Sequence, residues 1–192
     1  MLKISKVADL QVGDVGFYTI AGRVGGFVSF GQWLIDAVAL IQGKNTEGSW
    51  FTHAFLVIQE NGESRQIIEA MPGGARLVWL RGSDRTGYGY GYARLGLTEG
   101  QRGRILSEAL ALEGTPYSFL DYLSIALLHL GLPRKFTAKR VADSGHMICS
   151  QLVDFVLCRV GMKLFADGRV SQDVTPGALF RKAGGIGEVM WW

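Results

Sequence analysis

The sequence predicts an α+β domain in which an antiparallel sheet packs against helices, and three observations predict it. The middle of the chain, Trp50 to Leu95, carries short β-branched and aromatic runs separated by the turn signals Asn61-Gly62 and Pro72-Gly73-Gly74. Apolar residues at helical spacing flank this region on both sides. No internal repeat and no linker divides the 192 residues, so residues 1–192 read as a single domain long enough to bury a core.

Each element follows in order. Gly13-Asp14 makes a turn before a short strand ending at Ile20, and the glycine-rich Arg23 to Phe30 forms a loop. Trp33, Leu34, Ala37, Val38, Leu40 and Ile41 give Gln32 to Gln42 a helical stripe that Gly43 closes. Trp50 to Ile58 is a buried strand with His53 at its head. A hairpin through Glu60-Asn61-Gly62 leads into Arg65 to Ala70, and a turn at Met71 to Gly74 into Ala75 to Leu80. Tyr88 to Leu95 alternates tyrosine with glycine, which puts its tyrosines on one face and completes a central antiparallel meander.

Helices return with Thr98 and Gln101, spaced as a capping box, ahead of an apolar stripe running toward Gly114. Phe119 to Leu130 is a second helix, stopped by Gly131 and Pro133, and the polar Arg134 to Ser144 is an exposed loop. A third helix runs from Cys149 to Gly161. The last spans Thr175-Pro176 to Ala183, with threonine as N-cap and proline in the first turn.

Composition narrows the function classes. Twenty Lys+Arg against seventeen Asp+Glu leave a net charge of +3, and the basic residues are scattered, which argues against nucleic-acid binding. The N-terminal residues lack the apolar run and cleavage pattern of a secretion signal, and Asp121 and His129 interrupt the most apolar stretch before it reaches membrane-spanning length. The expectation is a soluble protein, cytoplasmic or carried in a larger particle such as a phage. Cys149 and Cys158, nine residues apart on one helix, lie about 13 Å along its axis and on nearly opposite faces, so they do not bridge.

The chemistry centres on Cys149. At a helix start, uncapped N–H groups and the positive dipole end favour its thiolate; taken alone, a cysteine is more often a buried structural residue. His53 supplies a base suited to neutral pH. Glu69 joins them only in one register. A three-residue loop, Glu60-Asn61-Gly62, pairs Gln59 with Glu63 and His53 with Glu69, whereas a two-residue Asn61-Gly62 turn sends Glu69 to the opposite face. The triad therefore predicts the three-residue loop.

Gly13-Asp14-Val15, Thr52-His53-Ala54-Phe55-Leu56-Val57-Ile58, Ile68-Glu69-Ala70 and Ile148-Cys149-Ser150-Gln151-Leu152-Val153, in that order, resemble the successive motifs of the circularly permuted NlpC-like papain-fold hydrolases. In that permuted branch the histidine strand precedes the cysteine helix, as here. The resemblance spans roughly residues 9 to 180. It implies a permuted papain-like fold with Cys149 as nucleophile, His53 as general base and Glu69 as orienting residue. Tyr117 and Asp121 stand near the Tyr-Asp position of the branch and are expected to bind substrate; here Ser118 follows Tyr117, and Gln151 replaces the family's glutamate.

The implied activity is acyl transfer through a thioester with no metal and no cofactor. The substrate is expected to be an amide or peptide bond of a peptidoglycan fragment, or else a lipid acyl group hydrolysed or transferred by the same triad. A non-catalytic component of a phage or other assembly is the alternative from a different class. Blander readings hold elsewhere. Asp14 serves a turn, His129 sits at a core rim, Tyr88, Tyr90 and Tyr92 form a sheet face packed on helix, and Cys158 is core. His146, His53 and Cys149 lack the paired spacing of a zinc site.

Overall fold

The computed structural model describes residues 6–20, 51–85, 89–117, 147–166, 171, 174–186 and 188–190. The expected helices over 32–42 and 119–130 and the loops over 23–30, 44–49 and 134–144 lie outside these residues, as do Tyr88, Asp121, His129 and His146.

The described chain is α+β. Its sheet has five principal strands, β1 Val15–Tyr18, β2 His53–Asn61, β3 Ser64–Met71, β4 Gly74–Leu80 and β5 Tyr90–Arg94, with the three-residue β6 Glu188–Met190 at one edge. The order is β4-β3-β2-β1-β5-β6, every neighbouring pair antiparallel. Three helices, α1 Glu99–Leu110, α2 Cys149–Arg159 and α3 Pro176–Ile186, complete the described fold, and a short 3-10 turn at Val7–Asp9 precedes β1. Among the described residues no helix is long and apolar enough to cross a membrane.

Local chemistry explains the helix starts. Gln101 N–H donates to Thr98 Oγ1 at 3.2 Å and Thr98 N–H to Gln101 Oε1 at 2.9 Å, so the capping box opens α1 as expected. Thr175 Oγ1 accepts from Ala178 N–H at 3.2 Å at the start of α3. The buried residues of α2, including Leu152, Val153, Val156 and Leu157, join Leu179, Phe180 and Ala183 of α3 against one face of the sheet, formed by Val15, Phe17, Ala54, Leu56, Ile58 and Ile68.

The alternate residues make the second face. Phe55, Val57, Ile67, Leu80 and Tyr92 pack there under Val7 and Leu10 of the N-terminal turn. Tyr90 and Tyr92 do share a face, but it is this one, not the face that carries α2.

The expected meander is corrected at its fourth strand. β2, β3 and β4 run as neighbours, whereas β5 crosses to pair with β1, Gly16 opposite Tyr92 and Tyr18 opposite Tyr90. Small and large residues interlock there. A Cβ on Gly16 would stand 2.1 Å from the Phe55 ring, so the glycine leaves room for Phe55 and Tyr92, whose centroids are 6.0 Å apart. Arg94 at the end of β5 then binds Asp14, Nη2 to Oδ2 at 2.8 Å and Nε to Oδ1 at 3.1 Å.

The hairpin loop is corrected too. Asn61 pairs with Ser64, leaving a two-residue turn, Gly62-Glu63, with Gly62 at φ +56°. That turn alone would put Glu69 and His53 on opposite faces. A bulge follows: Gln59 pairs with Gln66 but Val57 with Ile67, so Ile58 is an extra residue on β2. One inserted residue reverses the facing of everything beyond it, and Glu69 returns to the side of His53.

Candidate active site

Three elements meet where β2 begins. Cys149 is the first residue of α2, and its N-cap, Ile148, is extended and supplies no capping side chain, so the N–H groups of the first turn face the thiol's surroundings without one. Neighbouring side chains fix this start. Gln151 Oε1 accepts from Ile148 N–H at 2.9 Å, and Ser150 Oγ donates to Val174 O at 2.7 Å. The Cys149 residue is 2% exposed, its thiol 3.9 Å from the Thr52 carbonyl oxygen. Both Cys149 and Cys158 are free thiols.

His53 follows Thr52 as the first residue of β2 and is buried. Its Nε2 lies 2.9 Å from Glu69 Oε2. An ionised carboxylate only accepts, so Nε2–H is the donor and Nδ1 is the nitrogen left for Cys149. Burial pulls the His53 pKa down. The Cys149 charge and hydrogen bond, followed by Glu69, outweigh it and lift the imidazole from 6.5 to about 9. The ring is further packed edge-on by Tyr18, its direct neighbour on β1, at 4.8 Å between centroids.

Glu69 is fully buried and heavily hydrogen-bonded. Arg76, its cross-strand neighbour on β4, donates to Oε1 from Nε at 3.0 Å and Nη2 at 2.7 Å. Arg85 donates Nη1 to Oε2 at 2.6 Å and Nη2 to Oε1 at 2.9 Å, and Tyr18 OH reaches Oε2 at 3.5 Å. Burial would raise this carboxyl; the hydrogen bonds from His53 and Arg85 and their charges hold it well below its ordinary range instead. Burial and the Glu69 charge push the Tyr18 phenol up, so it stays a donor.

The sequence therefore pointed to three side chains that the fold does bring together, Cys149, His53 and Glu69, and missed the groups around Glu69. Arg76 was within reach once β3 and β4 were recognised as a hairpin, because the two-residue turn Pro72-Gly73 places it opposite Glu69. Arg85 had no local signal. It lies in a polar turn after β4, and only the fold carries it back over the sheet.

The remaining expectations divide. Tyr117 is half-buried against the helix-side core, and its phenol is pushed up first by burial and then by the Cys149 charge, which puts it in the neighbourhood of the thiol. The strand-like contact of Met147 N–H with Pro116 O at 3.0 Å holds its segment beside the start of α2. Asp14 is fully buried and accepts from Gln11 N–H at 2.9 Å as well as from Arg94, the turn-making role expected of it. Cys158 is only partly buried, with Sγ 3.8 Å from Asp154 Oδ2, rather than core. Among the described residues no group of three His, Cys, Asp or Glu side chains is placed to hold a metal ion. Comparison with known proteins brings no family model that matches this chain and no match among curated proteins.

Proposed function

We propose that the protein is a cysteine-dependent acyl-transfer enzyme of the permuted papain-like type, a hydrolase of amide or peptide bonds in cell-wall-type substrates. One observation carries the reading: a buried histidine stands between a thiol at an uncapped helix start and a carboxylate that binds its other nitrogen. A structural cysteine needs neither partner. The resemblance of the sequence motifs to NlpC-like hydrolases supports acyl transfer by a thiol nucleophile, a chemistry that branch applies to amide and to acyl-lipid bonds alike.

The chemistry follows from the geometry. With His53 protonated and Cys149 as thiolate, Sγ attacks the carbonyl carbon and the carbonyl oxygen becomes an oxyanion held by first-turn N–H groups of α2. The C–N bond then breaks as the leaving amine takes the proton of His53, giving a thioester and a neutral imidazole. Water attacks the thioester and delivers its proton to His53. The C–S bond breaks, the acid departs and the thiolate–imidazolium pair returns. Glu69 holds the ring so that Nδ1 keeps facing sulfur throughout, and Tyr117 contacts the bound acyl group.

Alkylation by iodoacetamide combined with turnover of wall-peptide fragments and of acyl-lipid substrates tests the proposal. Cys149 is expected to react faster than Cys158. His53→Ala should cut turnover by about 10²–10⁴-fold, and Cys149→Ala should abolish it. An alkylation rate no higher than that of an ordinary thiol, unchanged by His53→Ala, would sink the enzymatic reading. Turnover of acyl lipids with none of wall peptides would keep the triad and replace the substrate.

A further inference from the structure

Arg85 occupies a conformation that asks for a reason. Among the described residues it is the only non-glycine residue with a positive φ, 49°, in the left-handed region that a Cβ disfavours. Such a backbone persists where its surroundings hold it in place, and sites of function are where it collects. Three contacts hold this one. The guanidinium forks onto both oxygens of Glu69, at 2.6 and 2.9 Å. Its carbon lies 5.3 Å from the Tyr18 ring centroid and 5.6 Å from that of Phe55. Its own carbonyl accepts the Tyr92 hydroxyl. The Phe55 ring can lie there because Gly16 beneath it has no side chain.

Arg76 does not duplicate this arrangement. Both of its bonds go to Oε1, and its side chain is 52% exposed against 18% for Arg85. Oε2 is the oxygen that His53 uses, and among the described residues Arg85 is the one guanidinium bonded to it. A planar fork pinning both oxygens fixes the plane of the carboxylate, which a single point charge does not.

We propose that Arg85 is a positioning residue of this site, locking the Glu69 carboxylate in the orientation that presents Oε2 to His53. The inference rests on the reading of Cys149, His53 and Glu69 as a triad, and gives that triad a fourth, anchoring member. Among the described residues the groups facing His53 are Cys149 from α2, Glu69 from β3 and Tyr18 from β1; those facing Glu69 are His53, Tyr18, Arg76 and Arg85. An alternative role, simple neutralisation of a buried carboxylate, makes the opposite prediction for His53. Removing a neighbouring cation would leave its imidazolium unchanged or favour it. Losing the aligned carboxylate would disfavour it.

The test follows the His53 imidazole by NMR across pH in the unaltered protein, Arg85→Gln, Arg85→Lys and Arg76→Gln, with circular dichroism confirming that each is folded. Expected is a midpoint near pH 9 in the unaltered chain, falling by about one unit or more in both Arg85 variants, with Arg76→Gln close to the unaltered value. Arg85→Lys keeps the charge and loses the fork, so it decides the matter even if Arg85→Gln does not fold. A midpoint that rises or stays in the Arg85 variants overturns the proposal. Because the titration needs no turnover, an unaltered protein inactive on every acyl substrate would remove the enzymatic reading while leaving the result for Arg85 readable.

Discussion

At His53 burial pulls the pKa down, and its hydrogen bonds and charge interactions with Cys149 and Glu69 together outweigh it. Two pH effects follow. Turnover needs the imidazolium to protonate the leaving group, so its alkaline limb should fall near pH 9, where His53 gives up its proton. Stability changes in the same range. A raised folded pKa means that the contribution of His53 is fully present below its unfolded value of 6.5 and is lost as pH rises through about 9. Glu69 behaves in the reverse sense: its pKa is lowered, so its contribution is present above 4.5 and is lost as pH falls below that value. Thermal melts of the unaltered protein and His53→Ala should therefore converge between pH 6.5 and 9, and a gap independent of pH would contradict the His53–Cys149 coupling.

The elements were legible wherever a residue acts on its own turn. Thr98 with Gln101, Thr175 before Pro176 and Cys149 at the head of a helix all announce themselves within four positions, because capping is local. Register was legible only in part. Nothing near Ile58 marks it as an extra residue, since a bulge depends on what both neighbouring strands require; Val57 N–H bonds Asp14 O at 3.0 Å while its other side pairs with Ile67. His53 and Glu69 thus share a face as expected, but through a different turn and in a different register, with Leu56 rather than Ala54 opposite Ile68. Deleting Ile58 removes only the extra residue: Gln59 stays opposite Gln66 and Val57 opposite Ile67, so Glu69 keeps the side of His53 and the iodoacetamide rate of Cys149 should be retained. A rate that drops to that of His53→Ala would show that the bulge does more than absorb one residue.

At the scale of the molecule, one sheet separates two cores, and β1 ties them together. Its central place was hidden in the sequence because its partners, β2 and β5, begin 35 or more residues beyond it, and no local pattern selects β5 over β4 as a neighbour. The Asp14–Arg94 pair at the far end of β1 from Tyr18 fastens that choice. Asp14→Ala should cost roughly 3 kcal/mol, read by urea denaturation, because Arg94 keeps its place beside a buried site that has lost its carboxylate. Iodoacetamide labelling of the folded variant should keep the unaltered rate; a loss of rate would show that this pair also shapes the site.

The order of strands bears on when the chain becomes reactive. Synthesis delivers His53, Glu69 and Arg85 first, on a hairpin and turn whose contacts are mostly local and form early. The sulfur arrives some sixty residues after Arg85, on a helix that must dock across an already paired sheet. A growing chain therefore carries the hairpin that bears His53, Glu69 and Arg85 before the Cys149 helix exists to dock on it, so the proposed triad comes together only once the C-terminal third has been made.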